Sequence, residues 1–232
     1  MNVNHITSGQ PHKKAAALWS GGKDSCLAWQ LAREQGYEVD TLINFYSGER
    51  SRSHGLPTAL IHDQAKAAGM PIIQKEVKGN SYEEAFRNTL AELKERGIEN
   101  LICGDIYLME HRSWLERVVG EAGVSPVFPL WDRDTGELIA DFVKQRFEAI
   151  IVAASSDTLG KEWLGCPIDG DFRQKLEGLP HKIDPCGELG EFHTLVISGP
   201  RWPGRLKVLE TAPIEEDRHY FLNITRWEVV GR

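Results

Sequence analysis

Apolar residues recur in two alternating rhythms along the first half of the chain. Short unbroken runs at 15–19, 39–46, 71–77 and 100–103 have the length and composition of buried strands. Between them, 24–35, 58–68, 81–96 and 111–122 carry apolar side chains three and four positions apart, the spacing of one helical face. Gly36, Gly69, Gly97 and Gly123 follow these stretches and mark helix ends. Regular alternation of strand and helix predicts an α/β fold, a parallel sheet wrapped by helices on both faces. Ligands of such sheets bind outside the carboxyl ends of the strands.

Beyond Pro129-Leu130-Trp131 the texture changes. A helical pattern at 135–146 and an apolar run at 149–153 are followed by a glycine- and proline-punctuated stretch, 155–204, without clear period until 192–197. A long irregular stretch inside a compact protein is usually functional. The division expected is a flexible tail at 1–14, a nucleotide domain at 15–130 and a smaller α+β domain at 131–232 that supplies substrate contacts.

Composition removes several classes of function. The 232 residues carry a net charge of −7, with acidic and basic residues mixed along the chain, which speaks against a nucleic-acid partner. No apolar run reaches the roughly 20 residues of a bilayer span, and the polar start has no signal-peptide core, so a cytoplasmic protein is expected. Cys26, Cys103, Cys166 and Cys186 form no C-x-x-C pair, and reduced thiols are the expectation, with Cys26 and Cys103 as small core residues. Arg50, Arg52 and His54 read as a solvated loop rather than an anion site.

The densest chemistry lies in Ser20-Gly21-Gly22-Lys23-Asp24-Ser25, between the first strand and the first helix. Two glycines allow a tight turn and close approach of backbone N–H groups, and the helix aims its free N–H groups and positive dipole end at the same point. That is a phosphate site. Lys23 adds a point charge, the Ser20 and Ser25 hydroxyls suit phosphate oxygens, and Asp24 suits a helix cap or a Mg²⁺ ion. A surface turn would hold such a five-residue word by chance in on the order of one chain in ten thousand of this size. Neither the Walker pattern nor the dinucleotide G-x-G-x-x-G is present.

The same positional rule selects Gly104 and Asp105, directly after the fourth strand, with an ordinary turn as the competing reading. Asn44, Phe45 and Tyr46 end the second strand, where they would flank a base. A second cluster, Asp184-Pro185-Cys186-Gly187-Glu188-Leu189-Gly190-Glu191-Phe192-His193-Thr194, sets two carboxylates three positions apart beside a His, a Thr and a Cys. Paired carboxylates suit a metal ion, an amine, or a base acting on ammonia, and a solvated polar turn is the equal alternative.

The S-G-G-K-D-S word is the signature of the PP-loop ATP pyrophosphatases. Joined in order by Gly104-Asp105-Ile106, Pro129-Leu130-Trp131, Trp163-Leu164-Gly165 and the 184–194 cluster, it resembles the diphthine–ammonia ligase family over about 15–197. The resemblance implies a HUP-type, Rossmann-like domain, ATP with Mg²⁺, cleavage between the α- and β-phosphates, and an adenylated carboxylate amidated by ammonia. It implies ATP contacts at Ser20, Gly21, Gly22, Lys23, Asp24, Ser25, Gly104 and Asp105. Catalytic roles are implied for Lys23, Asp24, Glu188 and Glu191, and substrate contacts for Glu188, Glu191, His193 and Thr194. Asp24 and Asp105 are the expected metal ligands. Two departures imply a diverged acceptor: Leu189 stands where the family usually has glycine, and His193 where it has an acid. A corrinoid-type small carboxylate is one such acceptor. The alternatives are a tRNA-modifying PP-loop enzyme and a non-catalytic ATP-binding HUP-domain sensor.

Overall fold

The computed structural model describes residues 13–79 and 81–231. Ten strands and six helices follow in the order β1 Lys13–Leu18, α1 Lys23–Glu34, β2 Tyr37–Ser47, β3 Arg50–Ser51, α2 Thr58–Ala67, β4 Ile72–Glu76, α3 Tyr82–Glu95, β5 Asn100–Ile102, α4 Met109–Glu121, β6 Ser125–Val127, α5 Thr135–Lys144, β7 Glu148–Ser155, α6 Phe172–Glu177, β8 Phe192–Ser198, β9 Gly204–Glu216 and β10 His219–Gly231. A single 3₁₀ turn, Lys161–Trp163, separates β7 from α6.

The first sheet is the expected parallel one. Its parallel neighbours run β4, β2, β1, β5, β6, and short β3 folds back antiparallel on the end of β2. Sequence order reverses between β1 and β5, which opens a crevice at their carboxyl ends. Period-two alternation explains why β1 is so apolar: Ala15, Ala17 and Trp19 pack into one core, whereas Ala16 and Leu18 face the other. The core behind α3 and α4 holds Phe86, Leu90, Leu93, Leu115 and Val118.

The second sheet is antiparallel, in the order β8, β7, β10, β9. Its apolar face shares a core with α1, α2 and α5, so Leu60, Ile61, Phe142, Ile151 and Leu195 belong to one cluster. Trp19, Trp29 and Trp202 meet at the junction, with ring centroids 5.8 and 6.4 Å from Trp19. Gln64, fully buried, ties the two sheets together: its Nε2 donates to the carbonyls of Gly21 and Val196 while its Oε1 accepts from Trp19 Nε1.

The expected helix ends hold, since Gly36, Gly69, Gly97 and Gly123 all take positive φ, the left-handed conformation that closes a helix. Lys13 and Lys14 lie in β1, which corrects the tail expected at 1–14; Lys14 accepts from Glu99 N–H, because pairing with the β5 side begins before the apolar run. The rest of that expected tail falls outside the described residues. Strand β6 and the β9–β10 hairpin were not expected. The hairpin turns at Asp217 and Arg218, both with positive φ, a conformation normally signalled by Asn-Gly, so the sequence cue is weak. No described helix is long and apolar enough to cross a membrane.

Candidate functional site

Strand β1 ends at Leu18, and after Trp19 the chain turns through Ser20, Gly21 and Gly22 into α1. Gly21 has φ +83, and a β-carbon there would press on Ile61 and Gln64, so conformation and space both require glycine. The turn is internally bonded: Ser20 Oγ accepts from Gly22 N–H and lies 3.1 Å from Ser25 Oγ, which donates to Gly22 O. The second sheet clamps it from outside. Gly21 O accepts from Val196 N–H at 2.9 Å, and Lys23 N–H donates to Thr194 Oγ1 at 3.0 Å. Thr194 is therefore a cap for α1 supplied by β8.

Gly104 follows β5 and rests directly on α1: a β-carbon there would lie 3.1 Å from Ser25 N. That close approach brings Asp105 to the same crevice as Asp24. The crevice has a volume of about 490 Å³. Ser20, Lys23, Asp24 and Ser25 line it on the loop side, Leu18, Ile43, Phe45 and Tyr82 form an apolar wall, and Cys186, Gly187, Glu188 and His193 close it from the second sheet. Of the three residues expected near a base, Phe45 lines the crevice; Asn44 is buried and donates to Trp19 O and Ser51 Oγ, and Tyr46 is not among the lining residues.

Lys23 is almost completely buried, and its Nζ donates to Asp24 Oδ2 at 2.9 Å and to the carbonyl of Cys186. Burial works against its charge, but Asp24, with Cys186 and Glu188 behind it, outweighs that cost and raises the lysine above its ordinary value. Burial pushes Asp24 up as well, against the pull of Lys23. Glu188 faces the same crevice, and burial, reinforced by Asp24, Asp105 and Asp184 and opposed by Lys23, pushes its carboxyl up to about 7. A carboxyl poised there exchanges protons readily at neutral pH.

The structure separates Glu191 from Glu188. Glu191 is buried, its two carboxylate oxygens accepting from Asp184 N–H and Leu189 N–H, and it borders a different cavity of about 760 Å³ beside Asp134, Arg173 and Lys182. Asp184 does similar work, Oδ1 accepting from Cys186 N–H and Oδ2 from Thr135 Oγ1. The loop at 184–191 is thus a thin wall between two cavities, with Glu188 on the crevice side and Glu191 on the other.

His54 is half-buried in the crevice, which corrects the solvated loop expected at that position; Arg52 borders the same crevice but is exposed, as expected. Arg52 lies over the Tyr82 ring at 5.5 Å, and His54 stacks on His193 with centroids 4.7 Å apart. Arg50 faces outward, donating to Gly55 O and Asn223 Oδ1. Burial, helped by Lys23 and His219, lowers His193 to about 4, so at neutral pH it presents an uncharged ring. His111 was not anticipated either: it pairs with Asp105, and that bond raises its pKa despite partial burial. Cys186 acts through its carbonyl. Its thiol is buried, donates to Thr135 O and is pushed well up by burial, which favours the protonated form.

Among the described residues no group of three or more His, Cys, Asp or Glu could hold a metal alone. Asp24 and Asp105 border one crevice beside a phosphate loop, and this fits Mg²⁺, which keeps waters and binds through phosphates with one or two carboxylates.

The chain is 25% identical to "Diphthine--ammonia ligase" of Schizosaccharomyces pombe, covering 87% of this chain but 37% of that protein's length. It is also 25% identical to the protein of that name from Bos taurus, covering 84% of this chain and 82% of the relative. A solved structure from Methanocaldococcus jannaschii, described as a predicted subunit of tRNA methyltransferase, is 18% identical, covers 81% of this chain and 98% of its own, and has a TM-score of 0.45. The family model for the diphthamide synthase N-terminal domain matches residues 13–126 and that for the C-terminal domain matches 134–230; the chain belongs to the diphthamide synthase family.

Proposed function

We infer that the protein is an ATP-dependent ligase that forms AMP and pyrophosphate, adenylating a carboxylate and amidating it with ammonia. In this reading 15–130 binds ATP and Mg²⁺ and 131–232 binds the acceptor, in the cytoplasm. The observation that carries it is the meeting of Glu188 with Lys23 and Asp24 in one crevice, across a phosphate loop that both sheets hold in shape.

A carboxylate is a poor electrophile because oxide would have to leave. Its oxygen attacks the α-phosphorus, the bond from that phosphorus to the bridging oxygen breaks, and pyrophosphate departs. Residues 20–25 hold the pyrophosphate, and Lys23 stabilises the charge growing on the bridging oxygen. Asp24 and Asp105 would hold Mg²⁺, which would supply neutralisation of phosphate charge. Glu188 takes a proton from the incoming ammonium, the freed ammonia attacks the acyl carbon, and AMP leaves. Glu191 shapes the loop that presents Glu188, and Thr194 presents the loop of Lys23. His193, uncharged where the family usually carries an acid, borders the acceptor, which supports a carboxylate other than diphthine; a corrinoid-type small carboxylate is the first to try.

The test incubates the protein with ATP, Mg²⁺, ammonium and a panel of carboxylates, and measures nucleotide products. AMP and pyrophosphate in proportion to amide are expected. ADP and phosphate would rule out adenylation, and ATP binding without turnover on any acceptor would favour the sensor.

A further inference from the structure

His54 borders the same crevice, and no part of the catalytic scheme uses it. Three observations fix its ring. Nδ1 lies 3.0 Å from Thr194 O; a carbonyl only accepts, so Nδ1 carries the proton and, in the neutral ring, Nε2 is bare. The ring covers Gly22 so closely that a β-carbon at Gly22 would collide with His54 Cε1. It also lines the crevice, and among the described residues Nε2 has no hydrogen-bond partner.

The ring is thus anchored at one nitrogen, laid against the glycine of the phosphate loop, and unsatisfied at the other. Charged and titratable groups share its surroundings: Lys23 and Asp24 from α1, His193 from β8, Glu188 from the loop before β8, Glu216 from β9 across a small cavity, and Arg50 and Arg52 from its own segment. Lys23 and His193, together with burial, disfavour the imidazolium in the empty site. A polyphosphate reverses that balance, because its anionic oxygens would meet a lone pair unless Nε2 first takes up a proton.

We propose that His54 is a phosphate-positioning residue that takes a proton from solvent when the triphosphate enters, so that Nε2–H then donates to a phosphate oxygen beside Gly22. The proposal rests on the ATP-binding reading of this crevice and not on the acceptor or the amidation. Two variants separate anchoring from phosphate contact. His54→Asn keeps a donor for Thr194 O and lacks Nε2, while His54→Gln places an uncharged donor near the Nε2 position.

The probe is α,β-methylene-ATP with Mg²⁺, titrated calorimetrically near pH 7 in two buffers of different ionisation enthalpy, which counts protons taken up on binding. The wild type should take up protons and bind more tightly as pH falls. His54→Asn should lose part of that uptake and bind about tenfold more weakly, and His54→Gln should recover affinity without the uptake. Unchanged affinity and uptake in folded His54→Asn would overturn the proposal, as would a change confined to the KM for ammonium. Failure of the wild type to bind the analogue would instead defeat the ATP-binding reading itself.

Discussion

Residues 20–25 take their shape from neighbours in sequence: a strand end, two glycines and the first turn of α1. Residues 184–191, by contrast, belong to no helix or strand, and their shape comes from Asp184 and Glu191 folded back onto local N–H groups. Both loops reach the crevice, yet neither is complete alone. Gly21 O and Lys23 N–H are satisfied by Val196 and Thr194, and Lys23 Nζ by the Cys186 carbonyl. The lesson is that a carboxylate in such a motif serves either chemistry or architecture, and its hydrogen-bond partners say which. Glu188 keeps its carboxyl for the crevice, whereas Glu191 spends both oxygens on the backbone.

The largest break in that comparison is Lys23→Ala. Release of AMP and pyrophosphate should fall by about a thousandfold, because residues 20–25 lose their positive charge; residual activity within tenfold of wild type would remove Lys23 from the chemistry. Next comes Glu188→Gln, for which amidation should fall roughly a hundredfold. With Glu188 near 7, its ionised form grows as pH rises through neutrality, so wild-type kcat/KM, expressed per ammonium ion, should climb over that range and the variant should be flat.

Glu191→Gln sharpens the contrast from the other side. One of two part-buried N–H groups loses its acceptor, at about 1 kcal/mol of stability, read from urea unfolding, and an effect on turnover without any on stability would reverse the two glutamates' roles. Thr194→Val, nearly the same shape, should cost about 1 kcal/mol as the cap on α1 is lost, with a lowered Tm and a weaker ATP KM moving together. If Tm falls and ATP binding stays put, the cap serves stability alone.

Legibility followed the range of the interactions. The alternation of strand and helix, the closing glycines and the placement of Gly104 are local consequences of pattern and backbone freedom, and they could be read directly. The hairpin of β9 and β10 escaped because its turn uses Asp217-Arg218 instead of a recognisable pair. His54 looked like a solvated side chain because nothing near it in sequence would enclose it; the ring that covers it is His193, far along the chain. Glu188 and Glu191 share a motif but face opposite sides of a thin loop, a distinction set by turn geometry that spacing does not encode.

By itself the sequence determined the sheet and the glycine turn that joins β1 to α1, because strand periodicity, glycine and helix ends act over a few residues. Only the tertiary structure decided which carboxyl is available, which histidines are uncharged and which hydroxyl caps the loop's helix. Those properties depend on burial and on partners contributed by distant parts of the chain, and they exist only once the two sheets have closed on each other.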